Sequence, residues 1–228
     1  MLAFGLLGAG RIGQIHGRNI AASARGRLVA VHDPVAAAAE SLARGTGVEI
    51  RAAEAILTAP DIDAVVICTP TTTHAELIEK AAAAGKAVFC EKPVDLDSGR
   101  IRATLGAVGD AMLMIGFNRR FDPNFAALKH RIDDGLVGDV ELVTILSRDP
   151  GPPPVSYIRT SGGLFRDMTI HDFDMARFLL GEEVETVHAV GSCLVDKAIG
   201  EAGDIDTAAV LLRTASGKIC QISNSRRA

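Results

Sequence analysis

Leu2-Ala3-Phe4-Gly5-Leu6-Leu7-Gly8-Ala9-Gly10-Arg11-Ile12-Gly13 is the stretch whose reading decides the fold. Its first six residues form an apolar run of strand length, and the next six fit the pattern G-x-G-x-x-G at the mouth of a helix expected over residues 12–24. The first glycine allows a tight turn, the second lets a pyrophosphate approach the backbone, and the third lets helix pack against strand. Amides at the helix start, at Arg11 and Ile12, then face the phosphates. Gly8, Gly10, Arg11, Ile12 and Gly13 are therefore candidate dinucleotide-binding residues.

Asp33 lies 20 residues beyond Gly13, just past a second strand-like run. A carboxylate there accepts hydrogen bonds from ribose hydroxyls and repels the 2′-phosphate of NADP, and the following residue is Pro34 rather than a rescuing arginine. NAD is the expected cofactor. The alternative is that Asp33 only initiates the helix after Pro34.

Outward from this point, apolar runs at 2–7, 28–31, 48–50, 64–68, 87–90 and 112–116 alternate with helical segments at 12–24, 35–44, 73–84 and 98–108. That alternation describes a parallel sheet covered by helices, a Rossmann-type doubly wound domain over residues 1–117. Gly45, Gly85 and Gly109 stand where left-handed helix caps are wanted. After Gly116 the rhythm changes to a helix at 123–134, a strand at 140–147, the irregular Asp149-Pro150-Gly151-Pro152-Pro153-Pro154, and a helix over about 163–180. Strands at 184–195, 207–213 and 218–223 follow, the last two joined by a hairpin at Ala215-Ser216-Gly217. Residues 118–228 thus read as an α+β domain with a largely antiparallel sheet. The fold class is α/β followed by α+β, with the second domain cut short at Ala228.

Hydrophobic residues make up 48% of the 228, enough for packed cores, and the formal charge of −4 is scattered. Nothing in that balance favours nucleic acid or anionic lipid as a partner. No apolar run approaches the roughly 20 residues of a membrane span. The four cysteines, Cys68, Cys90, Cys193 and Cys220, are far apart without a C-x-x-C pair, which suits reduced thiols in a cytoplasmic protein and no metal site.

The remaining candidates lie at strand ends and on one helix. Thr69 and Pro70 close the strand at 64–68 on the edge where ligands of open sheets bind, and Thr72 or Thr73 can instead cap the next helix. His74 is open to either use. Glu91-Lys92-Pro93 follows the strand at 87–90. Lys92 there can donate to a substrate oxygen and stabilise alkoxide charge, while Pro93 can fix a turn, cis or trans, that aims it. In Gly163-Leu164-Phe165-Arg166-Asp167-Met168-Thr169-Ile170-His171, Asp167 and His171 are four apart and share one face of a regular helix. A histidine oriented by a carboxylate suits removal of a hydroxyl proton. A buried structural histidine, a surface ion pair and a metal pair are the competing readings.

Taken together, the glycine motif, Cys68-Thr69-Pro70-Thr71 with His74, Gly85-Lys86 leading to Glu91-Lys92-Pro93, and the run from Gly163 to His171 resemble the Gfo/Idh/MocA oxidoreductases. Phe89 through Asp95, Gly116 through Asp122 and Gly163 through Arg177 resemble the inositol 2-dehydrogenase branch of that family. The resemblance implies Lys92, Asp167 and His171 as the catalytic group, Glu91 on the cofactor side, and Arg120 and Asp149 lining the substrate cleft. It implies oxidation of myo-inositol at C2 to the inosose, with hydride passing to NAD. His171 takes the proton, Lys92 polarises the oxygen, and Asp167 orients His171 or binds a ring hydroxyl. Family members continue further, with more strands and a substrate-side tyrosine, and commonly form tetramers through the open sheet, so a homo-oligomer is implied. The alternatives are another cyclic polyol or sugar as substrate, or a nucleotide-binding sensor without turnover.

Overall fold

The computed structural model describes all 228 residues. The chain divides into two compact units, Met1–Gly116 and Phe117–Ala228.

In the first unit the strands are β1 (Leu2–Leu7), β2 (Gly26–His32), β3 (Glu49–Ile50), β4 (Ala64–Ile67), β5 (Ala87–Cys90) and β6 (Leu113–Ile115). They form one parallel sheet in the order β3-β2-β1-β4-β5-β6. The helices are α1 (Arg11–Ala22), α2 (Ala36–Thr46), α3 (Ala53–Thr58), α4 (His74–Ala83) and α5 (Ser98–Val108). Central strands buried on both faces read as continuous apolar runs, and β4 is buried at all four positions. One layer of core gathers around Leu6, Val31, Leu42 and Val66, the other around Leu7, Ile56, Ile67 and Ile78. The strand order reverses between β1 and β4, which opens a crevice at their carboxyl ends.

Two details differ from the sequence expectation. The left-handed cap of α2 is Gly47, at φ 72°, while Gly45 lies inside the helix. The helix thus runs two residues further than expected, and at its end the Thr46 hydroxyl donates to Leu42 O at 2.8 Å. Helix α3 was not expected; six residues hold too little periodicity to announce it.

The second unit contains α6 (Pro123–Asp133), β7 (Leu142–Arg148), α7 (Val155–Ser161), α8 (Ile170–Leu180), β8 (Val184–Ser192), α9 (Lys197–Glu201), β9 (Thr207–Thr214) and β10 (Ile219–Ser225). Its sheet runs β7-β10-β9-β8 and is mixed, since β7 and β10 are parallel and the other pairs antiparallel. Ala176 and Leu180 of α8 pack on Val210, Leu212, Cys220 and Ile222. The expected helix over 163–180 is two pieces: a π-helical turn, Phe165–Thr169, precedes α8. The hairpin after Thr214 closes with Gly217 at φ 97°.

Candidate functional site

At the end of β1, Gly8 turns at φ +93°, and a Cβ there would lie 2.6 Å from the Cys68 carbonyl at the end of β4. A Cβ on Gly13 would stand 2.0 Å from Gly8 O. These two glycines are required by the protein itself. Gly10 is different: a Cβ would meet nothing within 4 Å, so the protein itself leaves the ground beside this backbone open. It is the N-cap of α1 and offers no side-chain cap, and the helical ladder begins with Gln14 N–H donating to Gly10 O at 2.9 Å. The amides of Arg11, Ile12 and Gly13 precede that ladder and are directed out of the helix start. An uncapped positive helix end beside an open backbone fits a diphosphate.

Asp33 braces this turn. Its Oδ2 accepts from Ala9 N–H at 2.6 Å and its Oδ1 from Val35 N–H at 2.8 Å, so one carboxylate ties the glycine loop to the exit of β2. Helix α2 begins only at Ala36, beyond the reach of a cap from Asp33. Gln14 was not foreseen. Its amide donates to Ala9 O and Ala38 O, each at 3.0 Å, and bridges the loop to α2.

Across the crevice, Thr69 and Pro70 lead into a 3-10 turn, Thr71–Thr73. Neither Thr72 nor Thr73 caps α4; the Thr73 hydroxyl turns back to Thr69 Oγ1 at 2.7 Å and Pro70 O at 2.8 Å. His74, which the sequence leaves open between cofactor contact and a structural part, is buried at the start of α4. The residue is 2% exposed, with Nδ1 2.7 Å from Pro93 O and Nε2 2.8 Å from Thr69 O. Both ring nitrogens are used in holding two loops together.

Glu91 follows β5, and its Oε1 lies 2.7 Å from Nε2 of His16 on α1. His16 also stands edge-on to Phe89, and no motif pointed to it. Lys92 is half-buried, and the Lys92–Pro93 bond is cis. Burial, reinforced by the Glu91 charge, pushes the Cys68 thiol up to about 12, and Cys90 is pushed up for the same reason. Neither is a nucleophile at neutral pH.

In the second unit Asp167 sits on the π-helical turn and His171 on the first turn of α8. The wider π turn changes the angle between them from that of the regular helix expected. The Tyr157 hydroxyl donates to Asp167 Oδ1 at 2.8 Å, and Arg226 Nη1 donates to its Oδ2 at 3.0 Å. Arg226 Nη1 also reaches Asp149 Oδ2 at 3.0 Å, which joins Asp149 and Asp167 through one cation. Phe117 meets the His171 ring edge-on at 6.4 Å. Beneath them Arg119 pairs with the buried Asp172, which also accepts from Asn224 at 2.7 Å.

Arg120, expected to line the substrate cleft, is held by an ion pair. Its Nε and Nη2 grip Asp174 bidentately at 2.7 and 2.6 Å, and its guanidinium lies 5.1 Å above the Phe178 ring. A fork so engaged fastens the segment after Phe117 to α8. Tyr157 and Arg226 escaped the sequence reading; Arg226 is 59 residues from Asp167 and no local pattern links them.

Comparison with known proteins agrees with these two units. Residues 2–117 match the model of an oxidoreductase family with an NAD-binding Rossmann fold, and residues 125–228 match the GFO/IDH/MocA C-terminal domain. The chain is 64% identical over 227 residues to an inositol 2-dehydrogenase of Rhizobium meliloti, covering 99% of this chain and 69% of that protein. A myo-inositol dehydrogenase of Corynebacterium glutamicum superposes with a TM-score of 0.96 at 44% identity, over 100% of this chain and 69% of that one. A scyllo-inositol dehydrogenase of Lactobacillus casei with bound NAD(H) and scyllo-inositol superposes at 0.90 with 33% identity, over 100% and 70%. The chain belongs to the Gfo/Idh/MocA oxidoreductases, with an NAD-binding domain followed by the family's C-terminal domain.

Proposed function

We propose that this oxidoreductase oxidises myo-inositol at C2 to the inosose, with NAD as cofactor. The observation that carries the reading is the 64% identity to an inositol 2-dehydrogenase over 99% of the chain. NAD, when bound, supplies the hydride acceptor. Gly8, Gly10 and Gly13 admit its diphosphate, the first-turn amides of Arg11 and Ile12 face its charge, and Asp33 selects ribose hydroxyls over a 2′-phosphate. Thr69, Pro70 and Glu91 border the same crevice. Lys92 donates to the oxygen of the reacting carbinol and stabilises the charge that develops on it. His171 takes the hydroxyl proton, and Asp167, fixed by Tyr157 and Arg226, orients His171 or receives a ring hydroxyl. Asp149 belongs to the same substrate side through Arg226.

The test is NADH formation by the natural full-length protein with myo-inositol, scyllo-inositol and a panel of aldoses. A clear rate with myo-inositol supports the proposal, and no rate with it rejects the substrate. The likeness to the scyllo-inositol enzyme keeps a second reading, oxidation of another cyclic polyol by the same residues, and the same panel separates the two. No helix of the chain is long and apolar enough to cross a membrane. All four cysteines are free thiols, and with that absence of a span this supports a cytoplasmic setting. A homo-oligomer, formed through the second unit's sheet, completes the proposal.

A further inference from the structure

Arg226 is an arginine only 3% exposed, and its charge has an unusual balance. Nη1 carries both its ion pairs, to Asp149 and Asp167, while Nε and Nη2 are buried without a hydrogen-bond acceptor. The two carboxylates therefore supply the neutralisation of a cation that water does not reach. Backbone geometry fixes the guanidinium in turn: Arg226 N–H donates to Asp206 O at 2.8 Å, and Asp149 N–H donates to Ser225 O at 3.0 Å. The ends of β7 and β10 are thus locked together where the arginine leaves the chain. Asp167 is held at its other oxygen by the Tyr157 hydroxyl.

We propose that Arg226 is a positioning residue of the reaction: it holds Asp167 in a single orientation toward the reacting substrate, and couples Asp149 to it. Resting on the function proposed above, this assigns Asp167 the part of a fixed acceptor whose two oxygens are both engaged.

The experiment is a double-mutant cycle in kcat on the natural full-length protein, with Arg226→Met, Asp167→Asn and the pair. Loss of aim at a reacting group costs on the order of 100-fold, and residues acting as one unit are not additive. Arg226→Met should lower kcat by about that factor with KM for NAD unchanged. The pair should be no slower than Asp167→Asn alone. Arg226→Lys, which keeps the charge, should restore part of the rate. Multiplicative losses in the pair, or a kcat for Arg226→Met near the parent's, overturn the proposal. If Arg226→Met does not fold, the same cycle is run with Arg226→Gln and the same two outcomes decide. A parent protein inactive on myo-inositol rejects the substrate reading instead, and the cycle is then read on the polyol it does oxidise.

Discussion

Gly8 and Gly10 are two residues apart in one turn and stand in opposite situations. A methyl group on Gly8 must enter the Cys68 carbonyl from a backbone at φ +93°, whereas one on Gly10 meets no protein atom. Gly8→Ala should therefore destabilise the fold by about 2 kcal/mol or more. Gly10→Ala should leave the melting temperature nearly unchanged and weaken NAD binding by at least about tenfold, because the methyl occupies the ground where backbone and diphosphate meet. Calorimetric melting and NAD titration of both variants read the contrast; a stable Gly10→Ala protein with parental NAD affinity would remove the diphosphate from this turn. Arg120 offers a second test at this scale. Arg120→Lys surrenders the bidentate grip on Asp174, and should cost about 2 kcal/mol in denaturant unfolding while KM for the polyol moves less than about twofold. A large rise in KM at unchanged stability would return Arg120 to the substrate side.

At the scale of elements, the parallel sheet was legible because strands buried on both faces are written as bare apolar runs, and each ends in punctuation that has a physical use. Gly8, Asp33, Thr69 and Glu91 could all be placed at carboxyl strand ends on that ground alone. The short helices α3, α7 and α9, of six, seven and five residues, could not. Fewer than two turns give periodicity nothing to repeat. The π-helical turn at Phe165–Thr169 was hidden for another reason: its residues suit an α-helix equally well, and nothing in their local order marks the extra width. Arg226 and Tyr157 were illegible because their partner Asp167 is met only after the chain has folded. Asp206 shows how one buried carboxylate can organise a connection. It accepts from the backbone N–H groups of Leu194, Val195 and Asp196, at 2.8, 2.8 and 2.9 Å, between β8 and α9. Burial alone would raise its pKa, but these bonds and the Thr207 hydroxyl outweigh it and draw the value down to about 2. A carboxyl lowered in the folded state contributes stability in full above its unfolded pKa of about 4, and loses it as the pH falls toward 2. Asp206→Asn should accordingly cost about 2 kcal/mol at pH 7, with the gap to the parent closing between about pH 4 and pH 2 in urea unfolding series. A gap independent of pH over that range would mean that the ionised form is not what the loop requires.

For the whole molecule, each unit has its own core, and the second also carries apolar surface that its core does not use. The inner face of its sheet is sealed by α8, at Val210, Leu212, Cys220 and Ile222. On the opposite face the cross-strand register aligns Leu142 and Leu146 of β7 with Leu211 of β9 and Val190 of β8, all at least half exposed. Four large apolar side chains set on one open sheet face are more than isolated surface residues, and such faces commonly meet a partner surface. In the homo-oligomer proposed above, a second copy of the chain would meet the same face with the same residues and close an isologous contact without any further partner. Leu146→Glu places a charge, at a position already 72% exposed, into that contact and leaves the inner core untouched. Light scattering on the full-length protein at micromolar concentration should give a multiple of the chain mass for the parent and a smaller multiple for Leu146→Glu, with similar melting temperatures for the separated subunits. A parent that runs as a monomer, or a variant whose mass is unchanged, would deny this face its role in assembly and leave its leucines to be explained by folding alone.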